Sequence, residues 1–269
     1  MTANEQIICK PTHWFILRAA AMLAMFGVFS VLFYIDGTSG YRKKNYEYYL
    51  HATFEPATKE FARMNSDGAL TAEQWKAFAE EQKVGFPADR EVLPKDLKLP
   101  MFWPPILTNY EKVKPLQSHL LWQEYSGENE LGKTPPEHPF DAKKIHEQII
   151  VFYICLGLFL VTLFFLIRTM LRSIRADDEA LTTVTGKRIP YNDMKTLDLR
   201  KWDTKGIALV DYDGGRARID GLTYGGFKKE HDEPAERLMK KIRSNFSGEI
   251  IEYTTVTEEK PATDDVENA

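Results

Sequence analysis

Apolar positions are concentrated in two long runs, and the remaining chain follows shorter helical and strand periods. From Ile149 to Ile167 nineteen consecutive residues carry no charge. At 1.5 Å per residue that is about 28 Å of helix, close to a hydrocarbon core of roughly 30 Å. Phe and Leu fall on every side of the helical wheel, which leaves no polar face for water. The pattern predicts a membrane-spanning helix over residues 148–171. A second run, Ala19 to Ile35, follows Trp14-Phe15-Ile16-Leu17 and Arg18, and predicts a span over residues 14–35. An Arg at mid-bilayer costs about 2.5–3.5 kcal/mol, but Arg18 lies near one end, where its long stem can carry the charge to the interface. A cleaved signal peptide fits less well, because the segment before the run is long and no Ala-x-Ala site follows it.

Two spans put both chain ends on one side. Lys10, Arg18, Arg168, Arg172, Arg175, Lys187 and Arg188 outweigh Arg42, Lys43, Lys44, Lys143 and Lys144, so the ends are expected in the cytoplasm. Residues 36–147 are then expected on the outer side of the membrane, with residues 1–13 as an N-terminal tail.

Within 36–147 the spacing of Tyr46, Leu50, Phe54, Ala57 and Phe61 predicts helix over 42–64, with a kink or restart at Pro56. Thr71-Ala72-Glu73-Gln74 is a capping box, flanked by Leu70 and Trp75 at the hydrophobic-staple positions. A helix is expected from there to about Lys83. Residues 84–115 are proline-rich, including Trp103-Pro104-Pro105, and read as extended chain. Leu116 to Tyr125 reads as a short helix. The whole predicts a small, irregular, mainly helical domain whose aromatic residues fill a core.

After the second run the period shortens. Leu181 to Val184 and Gly206 to Tyr212 read as strands, and Asp213-Gly214 is a hairpin turn answered by Arg216 to Thr223. An amphipathic helix follows over 233–246, with Pro234 in its first turn and Ala235, Leu238, Ile242 and Phe246 on one face. Residues 176–253 are therefore expected to form a small α+β domain, by analogy a pleckstrin-homology-like half barrel. The acidic stretch 254–269 is expected to be disordered.

Composition narrows the chemistry. A formal charge of −4 gives no whole-chain attraction to nucleic acid. The two cysteines, Cys9 and Cys155, do not make a disulfide framework, and the six histidines lack ligand spacing. Residues 63–74 fail as a calcium loop, because Arg63 and Gln74 fall where carboxylates are needed. Asp211 and Asp213 are explained by their hairpin turn, and Gly221 to Gly226 matches no phosphate-binding spacing. No catalytic, metal or cofactor residue is assigned.

One feature carries functional leverage. Lys187, Arg188, Arg200, Lys201, Trp202 and Lys205 fall on neighbouring loops of the expected domain, and Arg168, Arg172 and Arg175 mark the membrane exit. Together they are candidate contacts for anionic lipid or a protein partner. The plain alternative is a solvated face balanced by Asp193, Asp198 and Asp203.

The segments Asp198 to Gly206, Arg218 to Phe227 and Asn245 to Tyr253 resemble a group of uncharacterised bacterial two-pass membrane proteins. The resemblance implies architecture and a bacterial setting, and no residue roles. The leading expectation is a non-enzymatic, membrane-anchored adaptor or accessory subunit. A lipid-responsive module and an enzyme of unrecognised type are the alternatives.

Overall fold

The computed structural model describes residues 6–226 and 233–253, so the acidic stretch 254–269 lies outside the described residues. In chain order the elements are β1 (Ile7–Cys9), α1 (His13–Ile35), a π-turn (Asp36–Gly40), α2 (Tyr41–His51), α3 (Phe54–Met64), α4 (Ala72–Glu81), α5 (Pro105–Thr108), α6 (Tyr110–Val113), α7 (Ser118–Glu128) and α8 (Ala142–Met170). Then come β2 (Ile174–Ala176), β3 (Ala180–Thr182), β4 (Arg188–Pro190), β5 (Met194–Asp198), α9 (Trp202–Lys205), β6 (Ile207–Tyr212), β7 (Gly215–Asp220), α10 (Pro234–Asn245) and β8 (Glu249–Ile251).

The fold is mixed helix and sheet, and α1 and α8 are long and apolar enough to cross a membrane. Both turn large apolar side chains outward: Leu17, Val28 and Leu32 on α1, and Tyr153, Leu160, Phe164 and Phe165 on α8, are exposed. The chain divides into two compact units, Met25–Phe159 and a second made of Met1–Ala24 with Leu160–Ala269.

In the first unit α1 passes through the π-turn into α2 without a break. Gly37 lies where a Cβ would come within 2.6 Å of Ile149 Cδ1, so a side chain there would force Ile149 of α8 to shift. The helix read over 42–64 is in fact two, separated at Ala52-Thr53. Pro56 occupies the first turn of α3, where its missing N–H costs nothing, and so it restarts the helix instead of kinking it. The Thr71 capping box forms with both of its bonds, Gln74 N–H to Thr71 Oγ1 at 3.3 Å and Thr71 N–H to Gln74 Oε1 at 2.9 Å. Leu50, Phe54, Phe61, Trp75, Leu107, Trp122 and Tyr125 build the core. Trp75 is fully buried and donates its indole N–H to Leu107 O at 3.0 Å, which satisfies the one polar atom it brings inside.

The second unit holds two four-stranded sheets, ordered β1-β2-β3-β4 and β7-β6-β5-β8. The first is antiparallel throughout; in the second, β8 runs parallel to β5. Helix α10 packs on β1 and β2 with its Ala235, Leu238, Met239 and Ile242 face buried. Residues 7–9 are not a tail. They pair with β2, Ile8 opposite Arg175 and Cys9 opposite Ile174. Cys9 is fully buried between the sheet and the turn at Gly225. A three-residue strand has too short a period to be seen in sequence, and its partner lies more than 160 positions away. Leu222 sits in the turn after β7 and is half exposed.

Gly225 holds φ at +93°, and a Cβ there would meet Ala235 N and Cys9 Sγ at 2.8 Å. Gly225→Ala should destabilise the second unit by about 2–4 kcal/mol, from backbone strain and overpacking. Thr71→Ala should cost the first unit about 1 kcal/mol through loss of its cap. Thermal unfolding in mild detergent, with hydrogen exchange to locate each effect, checks both. A Gly225→Ala protein as stable as wild type would contradict the seating of β1.

Candidate functional site

Strand alternation sorts the charged side chains of the second sheet. Ala208 and Val210 on β6, with Ala217 and Ile219 on β7, point inward and are buried. Asp211, Arg216, Arg218 and Asp198 therefore share the outer face, and the register puts Asp211 opposite Arg216 and Asp198 opposite Leu209. Their charges are matched in pairs. Arg216 grips Asp211 at 2.6 and 2.9 Å, Arg200 grips Asp198 at 3.0 and 2.7 Å, and Arg218 reaches Asp220 at 2.8 Å. The Arg200 hydrogen bonds hold the Asp198 carboxyl down at about 2.

In the first sheet Arg188 bonds Asp177 at 2.8 Å and Glu179 at 3.1 Å. Burial opposes ionisation of Asp177, but the Glu179 and Ala180 amides together with Arg188 hold its carboxyl below the usual range. Tyr191 donates its hydroxyl to Asp177 O at 2.8 Å, and burial pushes that phenol up to about 12. The Asp177 carboxyl and the Tyr191 phenol are thus structural partners, the first held ionised and the second held neutral near pH 7. Burial likewise raises the Cys9 thiol to about 12, which leaves it without thiolate character.

The sequence-selected contact residues do not form one cluster. Trp202 is a core residue, packed against Gly221. Arg188 and Arg200 are consumed by carboxylates, as the balanced-face alternative anticipated for Asp198. Arg175 is exposed on β2 with its Nε bonded to Ser173 Oγ, Arg168 is exposed in the last turn of α8, and Arg172 is half-buried just after it. Lys201 and Lys205 flank α9 at the start of β6 and are exposed. Lys187 lies at the other end of that strand, its Nζ 4.5 Å above the Tyr212 ring. At about 3.3 Å per residue the two ends of β6 are some 16 Å apart.

Around Lys187 the β3–β4 turn and the β6–β7 hairpin enclose a recess of about 400 Å³, lined also by Thr183, Thr185, Arg218 and Tyr224. Lys187 has no carboxylate partner among the described residues, and the Arg172 charge acts on Tyr224. The recess thus holds one lysine that no carboxylate of the described residues pairs with. A larger apolar groove of about 740 Å³ lies where β1 leads into α1, but Gly226 and Glu233 in its wall border residues outside the described set.

In the first unit a groove of about 620 Å³ brings His51, Glu55, Ser118 and His119 to the edge of Trp122. Burial lowers the pKa of His51, which packs edge-on against Trp122 at 5.1 Å. Among the described residues no group of three or more His, Cys, Asp or Glu side chains is placed to hold a metal. Compared with protein-family models, curated proteins and solved structures, the chain matches none.

The Asp198 carboxyl gains its proton in the unfolded chain near pH 3.9 and in the folded one only near 2. Its contribution to stability is complete above about pH 4 and is lost as pH falls toward 2. Asp198→Asn should flatten that acid limb of the stability curve while leaving the limb near neutrality unchanged in slope, as followed by thermal unfolding between pH 2 and 7.

Proposed function

We propose that the protein is a two-pass integral membrane protein acting as a non-enzymatic adaptor or accessory subunit of a membrane complex. The observation that carries this reading is the outward display of Leu17, Val28, Leu32, Leu160, Phe164 and Phe165 on two long helices joined to separately cored polar units. Such surfaces are favoured in lipid and penalised in water. The pairing of β1, three residues before α1, with β2, three residues after α8, supports placing both chain ends on one side. That side is read as the cytoplasm of a bacterium, with residues 36–147 outside. The second unit, two sheets closed by α10, is read as a variant of the pleckstrin-homology-like half barrel, with its first strand supplied by the N-terminus. It is the part offered to a cytoplasmic partner.

Reporters fused at the N-terminus and the C-terminus should score on one side of the membrane, and a reporter in the 130–137 loop on the other. Carbonate washing should leave the chain in the membrane, and gentle affinity purification should return a stoichiometric partner. A chain stripped by carbonate ends the membrane reading, and a clean monomer at native expression ends the adaptor reading.

A second reading, a module that responds to anionic lipid, is favoured by Lys187, Lys201 and Lys205, which have no carboxylate partner among the described residues and remain available to phosphate. In vesicles containing anionic lipid, backbone hydrogen exchange at residues 183–187 and 201–205 should slow relative to neutral vesicles. Equal exchange in both would dismiss it.

A further inference from the structure

Away from the second unit, the first unit carries its own concentration of charge. A recess of about 580 Å³ opens between the start of α2 and residues 94–98. Arg42, Lys43, Lys95 and Lys98 line it, against Asp96 as the lone acid of its lining. The recess differs from the paired surface of the sheets in how its charges are held. Arg42 is fixed by neutral partners: its Nη1 donates to Gly37 O at 2.7 Å and Thr38 O at 2.8 Å, and its Nε to Glu91 O at 2.8 Å. Those carbonyls position the guanidinium and leave its charge uncompensated. Among the described residues none of the four cations makes an ion pair with a carboxylate, whereas the neighbouring Lys44 reaches Asp36.

The depth of the recess is set by the helix. Thr38 and Ser39 are in its wall, three and four residues beyond Ile35, the last residue of the apolar run. At 1.5 Å per residue this is about 5 Å past the apolar edge, within the headgroup layer that borders a hydrocarbon core. Leu97 and Leu131 add an apolar side to the same recess. A rigid guanidinium surrounded by flexible ammonium groups suits a compact, multiply charged oxyanion that can take several donors at once.

We infer that this recess binds a phosphoryl group, supplied by an anionic phospholipid of the adjoining leaflet. The lipid source rests on the proposal that α1 spans the bilayer; the phosphoryl chemistry rests on the recess alone.

The test uses the full chain in neutral detergent, titrated with dioctanoyl phosphatidic acid, dioctanoyl phosphatidylcholine or glycerol 3-phosphate and followed by ligand-dependent thermal stabilisation. Phosphatidic acid should stabilise at lower concentration than phosphatidylcholine, and the preference should shrink with added salt. Lys95 and Lys98 are exposed, so the double variant K95Q/K98Q should fold normally and bind phosphatidic acid about 25-fold more weakly, roughly fivefold per lysine. The charge-matched variant K59Q/K76Q, at exposed lysines that already pair with Glu55 and Glu80, should bind as wild type. If glycerol 3-phosphate matches phosphatidic acid and loses the same factor in K95Q/K98Q, the phosphoryl site stands and its ligand is a soluble ester. Equal response to both lipids, or unchanged binding by K95Q/K98Q, overturns the site. The carbonate wash keeps the two proposals separate, since a chain that resists it yet shows no phosphatidic acid preference loses only the site.

Discussion

Two helices with apolar side chains on every side present to their surroundings a surface that water penalises. Each large side chain that α1 and α8 turn outward forgoes about 1.5–3 kcal/mol relative to burial, and the exposed series runs along both helices from Trp14 to Ile35 and from Ile150 to Met170. Among the described residues nothing covers them. The rest of the structure is arranged around that constraint. Polar segments fold as units with their own cores, and the ends of the apolar helices carry charged groups: Arg18 above the Trp14 ring at 4.5 Å, Lys44 beside Asp36, and Arg168 at the end of α8.

Closure of the second unit follows from the same geometry. Short three-residue strands are weak alone, yet β1 and β2 meet directly outside the helices they adjoin, and α10 covers them. Burying Cys9, Ile174, Leu181 and Ile242 in one core gives these strands the tertiary support that their length does not. The strand that completes the sheet thus comes from the opposite end of the sequence, and a close turn at Gly225 makes room for it.

Charge is used in two distinct ways. On the sheets, arginines are matched to aspartates two to eleven positions away, so their charges are spent on holding strands and turns. Where a cation is held by carbonyls, as Arg42 is, or stands over a ring, as Lys187 does, the charge stays available to something outside the chain. Counting basic residues in the sequence cannot separate these cases, because Arg188 and Lys187 are adjacent and belong to opposite ones.

Much of this architecture was legible in the sequence. The two apolar runs, the Thr71 capping box, the Asp213-Gly214 hairpin and the buried face of α10 rest on local patterns, and local patterns depend on neighbours one to four residues apart. Tertiary structure alone decided the strand role of residues 7–9, the parallel return of β8, the burial of Trp202, and the gathering of Lys95 and Lys98 beside Arg42. Each of these depends on residues brought together across about 20 to 170 positions. Such meetings are selected by the packing of whole faces and by the pairing of backbone groups, and no short stretch of chain carries a record of them.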